Sequence, residues 1–255
     1  CCWARTKSVC GPQNTPPLEY FKGSIFNDMR KDMLRGIKSP FLEDSCQLCW
    51  RNEKENGSSP RLQTSTDWSV LDNFDADGKM IDNDNRFIKM ELNAFGNHCN
   101  LECYECQPDN SSRREERLKK MGTKWQAILG KYSFVDRDIK RKDKQLWKEF
   151  VDDLVSHSKN IKTMSFCGGE PMTMISHFDI LDALIESGDS KEIEIYYVSN
   201  MTLFTLSKMR RYIDNFKWTN IQWSVDGIGD RNYWLRYPTN WDNTVKNVLD
   251  VQQYL

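Results

Sequence analysis

The chain has 255 residues, with 36 Lys and Arg against 37 Asp and Glu, a balance that gives no global reason to expect binding to nucleic acid or to an anionic membrane. The length predicts one or two domains, and an aromatic content of 12% argues for a packed chain and against a disordered one. No run approaches the roughly 18 apolar residues of a membrane span and no secretory signal is visible, so we expect a cytoplasmic protein.

The N-terminal part of the chain is predicted to form a helix followed by a pair of cysteines. Apolar side chains recur with a helical period over residues 18–37, and Ser39-Pro40 is predicted to stop that helix. Cys46 and Cys49 come next, and a polar loop is predicted over residues 53–63.

A turn-rich, acidic linker or hairpin, residues 67–86, leads into an alternation of strand and helix patterns. Strands are predicted at residues 88–94, 161–166, 193–198 and 221–225, and amphipathic helices at 146–155, 175–185, 206–216 and 245–255. The charged segment 107–144 is predicted to be mostly loop with one or two short helices. Such β–α units in series imply an α/β fold with a parallel sheet. Because a full eight-unit barrel needs about 250 residues, residues 87–255 are expected to form only a partial barrel.

The nine cysteines are the most specific feature of the composition. Because the chain carries no secretory marks, their clustering favours metal ligands over disulfides. Seven of them fall in tight groups: Cys1, Cys2, Cys46, Cys49, Cys99, Cys103 and Cys106. The last three form a C-x3-C-x2-C loop directly after the first predicted strand of the sheet.

That loop supplies three thiolates to one metal centre and no fourth. Iron–sulfur clusters usually take four cysteine thiolates, so a cluster held by three has one iron with an open coordination position. An open position marks a catalytic metal site, whereas a closed shell marks a structural one. Zinc is the alternative metal, with His98 as a fourth ligand, although structural zinc sites usually combine two separated cysteine pairs.

Polar segments also follow the other three predicted strands. They are Cys167-Gly168-Gly169-Glu170-Pro171, Ser199-Asn200 and Ser224-Val225-Asp226-Gly227. Ligands bind at the carboxyl edge of parallel α/β sheets, so we predict one shared site there. Taken singly, each segment has a plainer interpretation, as a tight glycine turn, a helix cap or an Asp-Gly turn. The functional interpretation is that a backbone without Cβ admits a ligand, with the Glu170 carboxylate available to hold an ammonium group.

The three-cysteine loop and the Gly-Gly-Glu-Pro segment, in this order and strand context, resemble the radical S-adenosylmethionine (radical SAM) superfamily. The resemblance covers residues 87–255 and implies a radical SAM barrel, with four β–α units here against the six of the family. It implies that the loop cysteines hold a [4Fe–4S] cluster whose fourth iron is chelated by SAM. The implied SAM-binding residues are Gly168, Gly169 and Glu170 at the methionyl amine with Pro171 of the same motif, and Ser199, Asn200, Ser224 and Asp226 at the ribose or carboxylate.

One position in the loop departs from the family pattern. The residue before the last cysteine is usually aromatic or apolar and lies near the adenine, but here it is Glu105. Tyr104, one position earlier, is therefore the candidate for the adenine contact.

Residues 1–66 resemble a SPASM/twitch domain, which holds an auxiliary [4Fe–4S] cluster. The resemblance assigns that second cluster to Cys1, Cys2, Cys46 and Cys49. A further upstream cysteine is missing, so either the segment is incomplete at its N-terminus or Cys10 takes that place. A small zinc knot or free thiols are the alternatives. The barrel is likewise expected to be incomplete at its C-terminus.

The resemblance implies reductive cleavage of SAM to a 5′-deoxyadenosyl radical that abstracts a substrate hydrogen, with no catalytic general base evident. Related enzymes with auxiliary clusters often act on peptides, so we expect a peptide or protein substrate and an electron donor such as flavodoxin or ferredoxin. One alternative is a non-catalytic iron–sulfur or zinc-binding scaffold with a degenerate radical SAM fold. Another is a zinc-dependent nucleic-acid-binding module that uses the basic run at residues 113–120, which we interpret instead as a solvated helix face.

Overall fold

A computed structural model of the protein describes residues 16–59, 62, 68–92, 95–122 and 142–255. These residues divide into two compact units. The first unit contains the described residues up to Phe87 together with Asp152–Asn160, and the second contains those of Ile88–Val151 and Ile161–Leu255.

The first unit is helical and begins with α1 (Pro17–Lys22), α2 (Ser24–Leu34) and α3 (Pro40–Asn56). The predicted helix over residues 18–37 is thus interrupted at Gly23 and ends near its expected position. The prediction of a loop from residue 53 is wrong for residues 53–56, which belong to α3.

Ser39-Pro40, predicted to stop a helix, also begins α3. The Ser39 side chain accepts a hydrogen bond from the Leu42 backbone N–H, which makes Ser39 the N-cap of α3. Pro40 occupies the first helical position, where its missing N–H has no partner to lose. The pair therefore closes one helix and opens the next.

The acidic stretch before the sheet contains a turn where the sequence indicates a hairpin. An isolated antiparallel bridge joins Phe74 and Met80 across it. Arg30 of α2 donates from Nε to the Gly78 carbonyl oxygen at 2.6 Å, and its guanidinium lies 4.8 Å from the centre of the Phe74 ring. The turn is therefore fastened to α2 within the first unit.

The second unit is built on a four-stranded parallel sheet in the order β1 (Ile88–Leu92), β2 (Ile161–Phe166), β3 (Glu194–Ser199) and β4 (Trp218–Trp223). All three strand pairings are parallel. The α/β class and the parallel sheet are thereby confirmed, and each predicted strand is present within a few residues of its expected bounds. Residues 93–94 at the predicted end of the first strand lie outside the described residues.

Helices connect and follow the strands. They are α4 (Ser112–Lys120), α5 (Lys144–Ser156), α6 (His177–Ser187), α7 (Leu206–Asn215), α8 (Asp230–Leu235) and α9 (Trp241–Gln252). The four predicted amphipathic helices correspond to α5, α6, α7 and α9. In the described part of the charged segment 107–144, a 3-10 turn at Pro108–Asn110 precedes the short helix α4.

An aromatic cluster joins α6 to the sheet. The His177 ring is fully buried, with its centre 5.1 Å from that of Phe166 on β2 and 5.7 Å from that of Tyr197 on β3. Its Nδ1 donates to the Met174 carbonyl oxygen at 2.7 Å. Burial lowers the pKa of His177 to about 4, so this ring packs as a neutral core side chain.

Candidate functional site

A cavity of about 510 Å³ in the second unit collects side chains from the carboxyl ends of all four strands. It is lined by Glu91, Cys99, Cys103, Cys106, Asn110, Cys167, Gly168, Gly169, Glu170, Val198, Asn200, Ser224 and Arg236. The three loop cysteines thus share one cavity with parts of the three other polar segments. Of the predicted site residues that the structure describes in this unit, four fall outside the lining: Pro171, Ser199, Asp226 and Tyr104.

The cysteine loop is held from one side by the segment that follows α8. The Glu102 backbone N–H donates to the Tyr237 carbonyl oxygen at 2.7 Å, and the Tyr104 N–H donates to the Leu235 carbonyl oxygen at 2.8 Å. Cys103 lies between these two bonds, so its position is fixed by backbone pairing rather than by side-chain packing alone.

The loop is held from another side by α4, which carries the basic run. Arg113 donates to the Asn100 carbonyl oxygen at 2.8 Å, and Arg117 pairs with Glu102 at the same distance. Ser111, the N-cap of α4, donates its hydroxyl to a backbone carbonyl of the loop at 2.6 Å. Arg113 and Arg117 lie on an exposed helix face, as the sequence predicts, and they also support the cysteine loop.

The three loop thiols have different proton affinities. Burial raises the pKa of Cys99 to about 11. A hydrogen bond between the Cys103 and Cys106 side chains lowers the pKa of Cys106 to about 7 and raises that of Cys103. The positive charge of Arg236 also favours the Cys106 thiolate. The loop therefore offers a thiolate near neutral pH, which is the form that binds metals.

The Gly-Gly-Glu-Pro segment is docked on the start of the cysteine loop. The His98 carbonyl oxygen accepts from the Glu170 backbone N–H and from the Thr173 hydroxyl, both at 2.8 Å. A Cβ on Gly169 would lie 1.9 Å from that same oxygen, and Gly168 has a φ of +122°, which favours glycine. Because Gly169 has no Cβ, the backbone of the cysteine loop can lie against it. The sequence interpretations, a tight turn or a close approach by a ligand, did not include this role.

The Glu170 carboxylate accepts hydrogen bonds from other residues of the protein. It accepts from the Ser199 hydroxyl and the Asn200 backbone N–H, both at 2.8 Å, and from the Met172 N–H at 3.3 Å. Burial raises the pKa of Glu170, and these hydrogen bonds oppose that rise. The side chain joins the ends of β2 and β3, and it draws the Ser199 hydroxyl toward itself rather than toward the cavity. Pro171 is buried at the start of a short 3-10 turn.

The end of β3 is also linked to the cysteine loop. The Asn200 side chain donates to the Asn100 side-chain oxygen at 3.1 Å, and Asn100 donates to the Thr202 hydroxyl at 2.7 Å. The Ser224 backbone N–H donates to the Ser199 carbonyl oxygen at 2.8 Å, which continues the pairing of β3 with β4. Asn200 and Ser224 thus reach the cavity from neighbouring strand ends.

Asp226 is paired with an arginine that the sequence did not single out. Its carboxylate lies 2.7 Å from Arg236 Nε and 3.1 Å from Nη2, and Arg236 Nη1 lies 3.9 Å from Cys103 Sγ. Asp226 therefore holds Arg236 by an ion pair, and Arg236, not Asp226, lines the cavity.

Tyr104 and Glu105, at the position of the implied adenine contact, both face solvent. The Tyr104 side chain is 70% exposed, and the Arg114 guanidinium lies 5.9 Å from its ring centre. Glu105 is also exposed. Neither side chain contributes to the cavity wall.

Cys167 also lines the cavity, although the sequence analysis gave it no role of its own. Its thiol donates to the Glu91 carboxylate at 3.3 Å and lies 3.5 Å from the Leu92 carbonyl oxygen. A signal for it was present, because Cys167 directly precedes Gly168 at the predicted end of β2. Arg236 had no comparable signal, since its position depends on the pairing of two distant segments.

Cys46 and Cys49 lie one helical turn apart on α3, with side chains 4% and 2% exposed. Cys46 packs with Met29 and Leu42 in an apolar cluster, against which Trp50 also packs. The other cysteines assigned to an auxiliary cluster or to its completion lie outside the described residues: Cys1, Cys2 and Cys10.

Two structure-wide properties bear on metals and membranes. Within the described ranges, no group of three or more His, Cys, Asp or Glu side chains is arranged to hold a metal ion. In the same part of the chain, no helix has the length and apolar character needed to cross a membrane.

Comparison with known proteins identifies no family for this chain. No protein-family model matches the chain, and no curated protein matches it. The functional assignment therefore rests on the residues and the cavity themselves.

Proposed function

We propose that this chain is a radical SAM protein in which Cys99, Cys103 and Cys106 hold a [4Fe–4S] cluster. One observation carries the proposal: the three thiols share a cavity with Gly168 and Gly169, which come from a different strand end. A C-x3-C-x2-C loop beside a Gly-Gly-Glu-Pro segment at the carboxyl edge of a parallel sheet is the combination on which the resemblance rests.

The cavity fits the proposed group in size and in donor chemistry. Its volume, about 510 Å³, lies within the range of about 300–1,000 Å³ that small-molecule and cofactor sites occupy. Thiolates are the ligands of iron–sulfur clusters, and each thiolate of a cubane binds a different iron. The three cysteine thiols that line one cavity therefore provide the donor set of a cluster held by three thiolates.

The residues around the cluster site have distinct proposed roles. The cysteines ligate as thiolates, and the Gly168-Gly169 backbone provides a wall to which the methionyl part of SAM binds. Asn200 and Ser224 supply hydrogen-bonding groups for its carboxylate or ribose. When bound, the cluster supplies the electron that cleaves SAM, giving the 5′-deoxyadenosyl radical that abstracts a substrate hydrogen.

Glu170 has a positioning role in this proposal. Its carboxylate is 2% exposed and accepts hydrogen bonds from the end of β3, while its backbone N–H holds the start of the cysteine loop. Glu170 thereby fixes the position of the cysteine loop relative to the end of β3. We assign the binding of the methionyl amine to the neighbouring backbone carbonyls rather than to this carboxylate alone.

The wider assignment follows from the same resemblance. We propose a partial radical SAM barrel over residues 87–255, a linker or hairpin over 67–86, and a SPASM/twitch-like domain over 1–66. In that domain a second cluster would be held by Cys46, Cys49 and the N-terminal cysteines. A cytoplasmic location, a peptide or protein substrate, and flavodoxin or ferredoxin as electron donor complete the proposal, with neither a membrane nor a nucleic acid as partner.

A second candidate is a non-catalytic metal-binding scaffold with a degenerate radical SAM fold. The observation that favours it is the exposure of Tyr104 and Glu105, which leaves the implied adenine contact without an aromatic or apolar side chain from this loop. In a scaffold the cavity could hold a closed metal centre, because Cys167 provides a fourth thiol in the same wall.

The two candidates are separated by comparing two cysteines of the same cavity. The protein is purified anaerobically, reconstituted with iron and sulfide, and examined by metal analysis and by EPR of the reduced state with and without SAM. We expect Cys103→Ala to lose a cluster whose EPR signal changes on addition of SAM, and Cys167→Ala to retain it. Reduced wild-type protein is expected to convert SAM to 5′-deoxyadenosine.

The contrary outcomes are equally definite. If both substitutions abolish the cluster and SAM leaves the wild-type signal unchanged, the centre is closed by four thiols and the scaffold is favoured. If the protein binds zinc and no iron, the radical SAM assignment fails.

A further inference from the structure

We propose that Arg236 is a positioning residue of the cluster site, which donates a hydrogen bond to the Cys103 sulfur and thereby raises the reduction potential of the cluster. This inference rests on the proposed function and concerns a residue outside the motifs that led to it. Three independent contacts support it, from the backbone, from a carboxylate and from the sulfur itself.

The backbone places residues 103 and 236 opposite each other. The Glu102 N–H bonds to the Tyr237 carbonyl oxygen at 2.7 Å, and the Tyr104 N–H bonds to the Leu235 carbonyl oxygen at 2.8 Å. These two bonds hold the backbone on either side of Cys103 against the backbone on either side of Arg236. Both side chains of the enclosed pair line the cavity.

Asp226 fixes the direction of the guanidinium. Nη2 donates a hydrogen bond to the carboxylate at 3.1 Å, and Nε lies 2.7 Å from its other oxygen as an ion pair. This arrangement leaves Nη1 for the Cys103 sulfur, at 3.9 Å. The Asp226 backbone N–H is itself bound by Asn232, whose side chain is buried.

The direction of the effect follows from charge. Reduction adds one negative charge to a cluster, so a nearby cation and an N–H donor to a ligating sulfur both stabilise the reduced state. The Arg236 side chain is 18% exposed, so solvent screens its charge only in part. The Asp226 carboxylate offsets some of that charge but lies on the far side of the guanidinium from the Nη1–sulfur contact.

The test is an EPR-monitored redox titration of the reconstituted protein, following the signal that Cys103→Ala removes. Arg236→Gln deletes the positive charge and the guanidinium, and we expect a midpoint potential shifted to more negative values with unchanged iron content. Arg236→Lys keeps the charge without the guanidinium and is expected to shift the potential in the same direction by less. Arg231→Gln makes the same charge change at an exposed position outside the cavity lining and is expected to leave the potential unchanged.

An Arg236→Gln potential equal to or above that of wild type overturns the inference, as does a shift of equal size in Arg231→Gln. If Arg236→Gln does not retain the cluster, Arg236→Lys is measured in its place. A midpoint potential of Arg236→Lys identical to that of wild type then overturns the inference. A wild-type protein without a [4Fe–4S] signal defeats the proposed function itself, whereas a wild-type signal with unshifted variants defeats this inference alone.

Discussion

Gly169 is the residue on which the contact between the two motifs depends. Its backbone passes so close to His98 that a Cβ would lie 1.9 Å from the His98 carbonyl oxygen, 2.5 Å from its carbon and 2.8 Å from the Asn97 carbonyl carbon. All three are backbone atoms, which cannot rotate away as a flexible side chain does. The glycine is therefore required by the protein itself, before any ligand is considered.

We expect Gly169→Ala to separate the cysteine loop from the end of β2. The strain of accommodating the methyl group should cost about 3 kcal/mol of unfolding free energy, in the upper range for overpacking. Gly188→Ala is the control for an added methyl group without a clash, because nothing lies within 4 Å of its Cβ, although its φ of +86° is itself unfavourable for alanine. That control should cost about 1 kcal/mol. Denaturant unfolding and iron content after reconstitution are the measurements, and equal iron content in the two variants would contradict the assigned role of Gly169.

At the scale of elements, the strands and the crossover helices were predictable because burial imposes a period on them. Ile195 and Tyr197 are buried on β3 and Ile193 is buried just before it, whereas the residues between them are less buried, which is the period of two expected of a strand. The last turn of α3 was missed because its residues, 53–56, are polar and carry no apolar period. The short helix α8 was missed for a related reason, since its Trp234 is 77% exposed.

The packing of α6 on the sheet makes a prediction about pH, because His177 is buried as a neutral ring with a pKa of about 4. Above pH 6.5 the ring is neutral in both states and contributes nothing to pH dependence. Below pH 6.5 the unfolded chain binds a proton that the folded ring does not accept until about pH 4. As the pH decreases from 6.5 to about 4, His177 should therefore lower the free energy of unfolding by about 1.4 kcal/mol per pH unit.

Urea unfolding of wild type and His177→Phe at pH 7 and pH 4.5 measures this contribution. The phenylalanine keeps an aromatic ring among Phe166, Phe178 and Tyr197, so the fold should persist at a modest cost from the lost bond to Met174. The stability difference between the two proteins should narrow or reverse at pH 4.5. A difference independent of pH would show that the folded ring accepts a proton. The comparison also cancels Glu170, whose raised pKa acts in the opposite direction.

At the scale of the whole molecule, the sequence could place the site but not complete it. The rule that ligands bind at the carboxyl edge of a parallel sheet brought the loop cysteines, Gly168 and Asn200 to one place. It could not identify Arg236, which reaches the cavity only because residues 235–237 pair with the cysteine loop. It also could not foresee that Glu170 and Asp226 would be occupied by internal partners, because such partners are set by packing distances rather than by strand order.

The environments of the cysteines across the molecule predict a fixed order of alkylation in metal-free protein. The hydrogen bond with Cys103 lowers the pKa of Cys106 to about 7, whereas burial raises the pKa of Cys99 to about 11, so Cys106 has the larger thiolate fraction at pH 7. Cys106 should therefore react with iodoacetamide faster than Cys99, by at least about tenfold even after allowing for the lower nucleophilicity of the more acidic thiol. Cys46 and Cys49 are buried and should be protected until the first unit unfolds.

The measurement is a time course of alkylation by peptide mass spectrometry after removal of metals with a chelator. Arg236→Gln supplies the internal check, because the Arg236 charge helps to lower the pKa of Cys106 and its loss should slow that residue while leaving Cys99 unchanged. Equal rates for Cys99 and Cys106 in wild type would contradict the thiol arrangement described for the loop. Early modification of Cys46 or Cys49 would contradict their burial in α3. Together the rates report on the cavity and on the helical unit in one experiment.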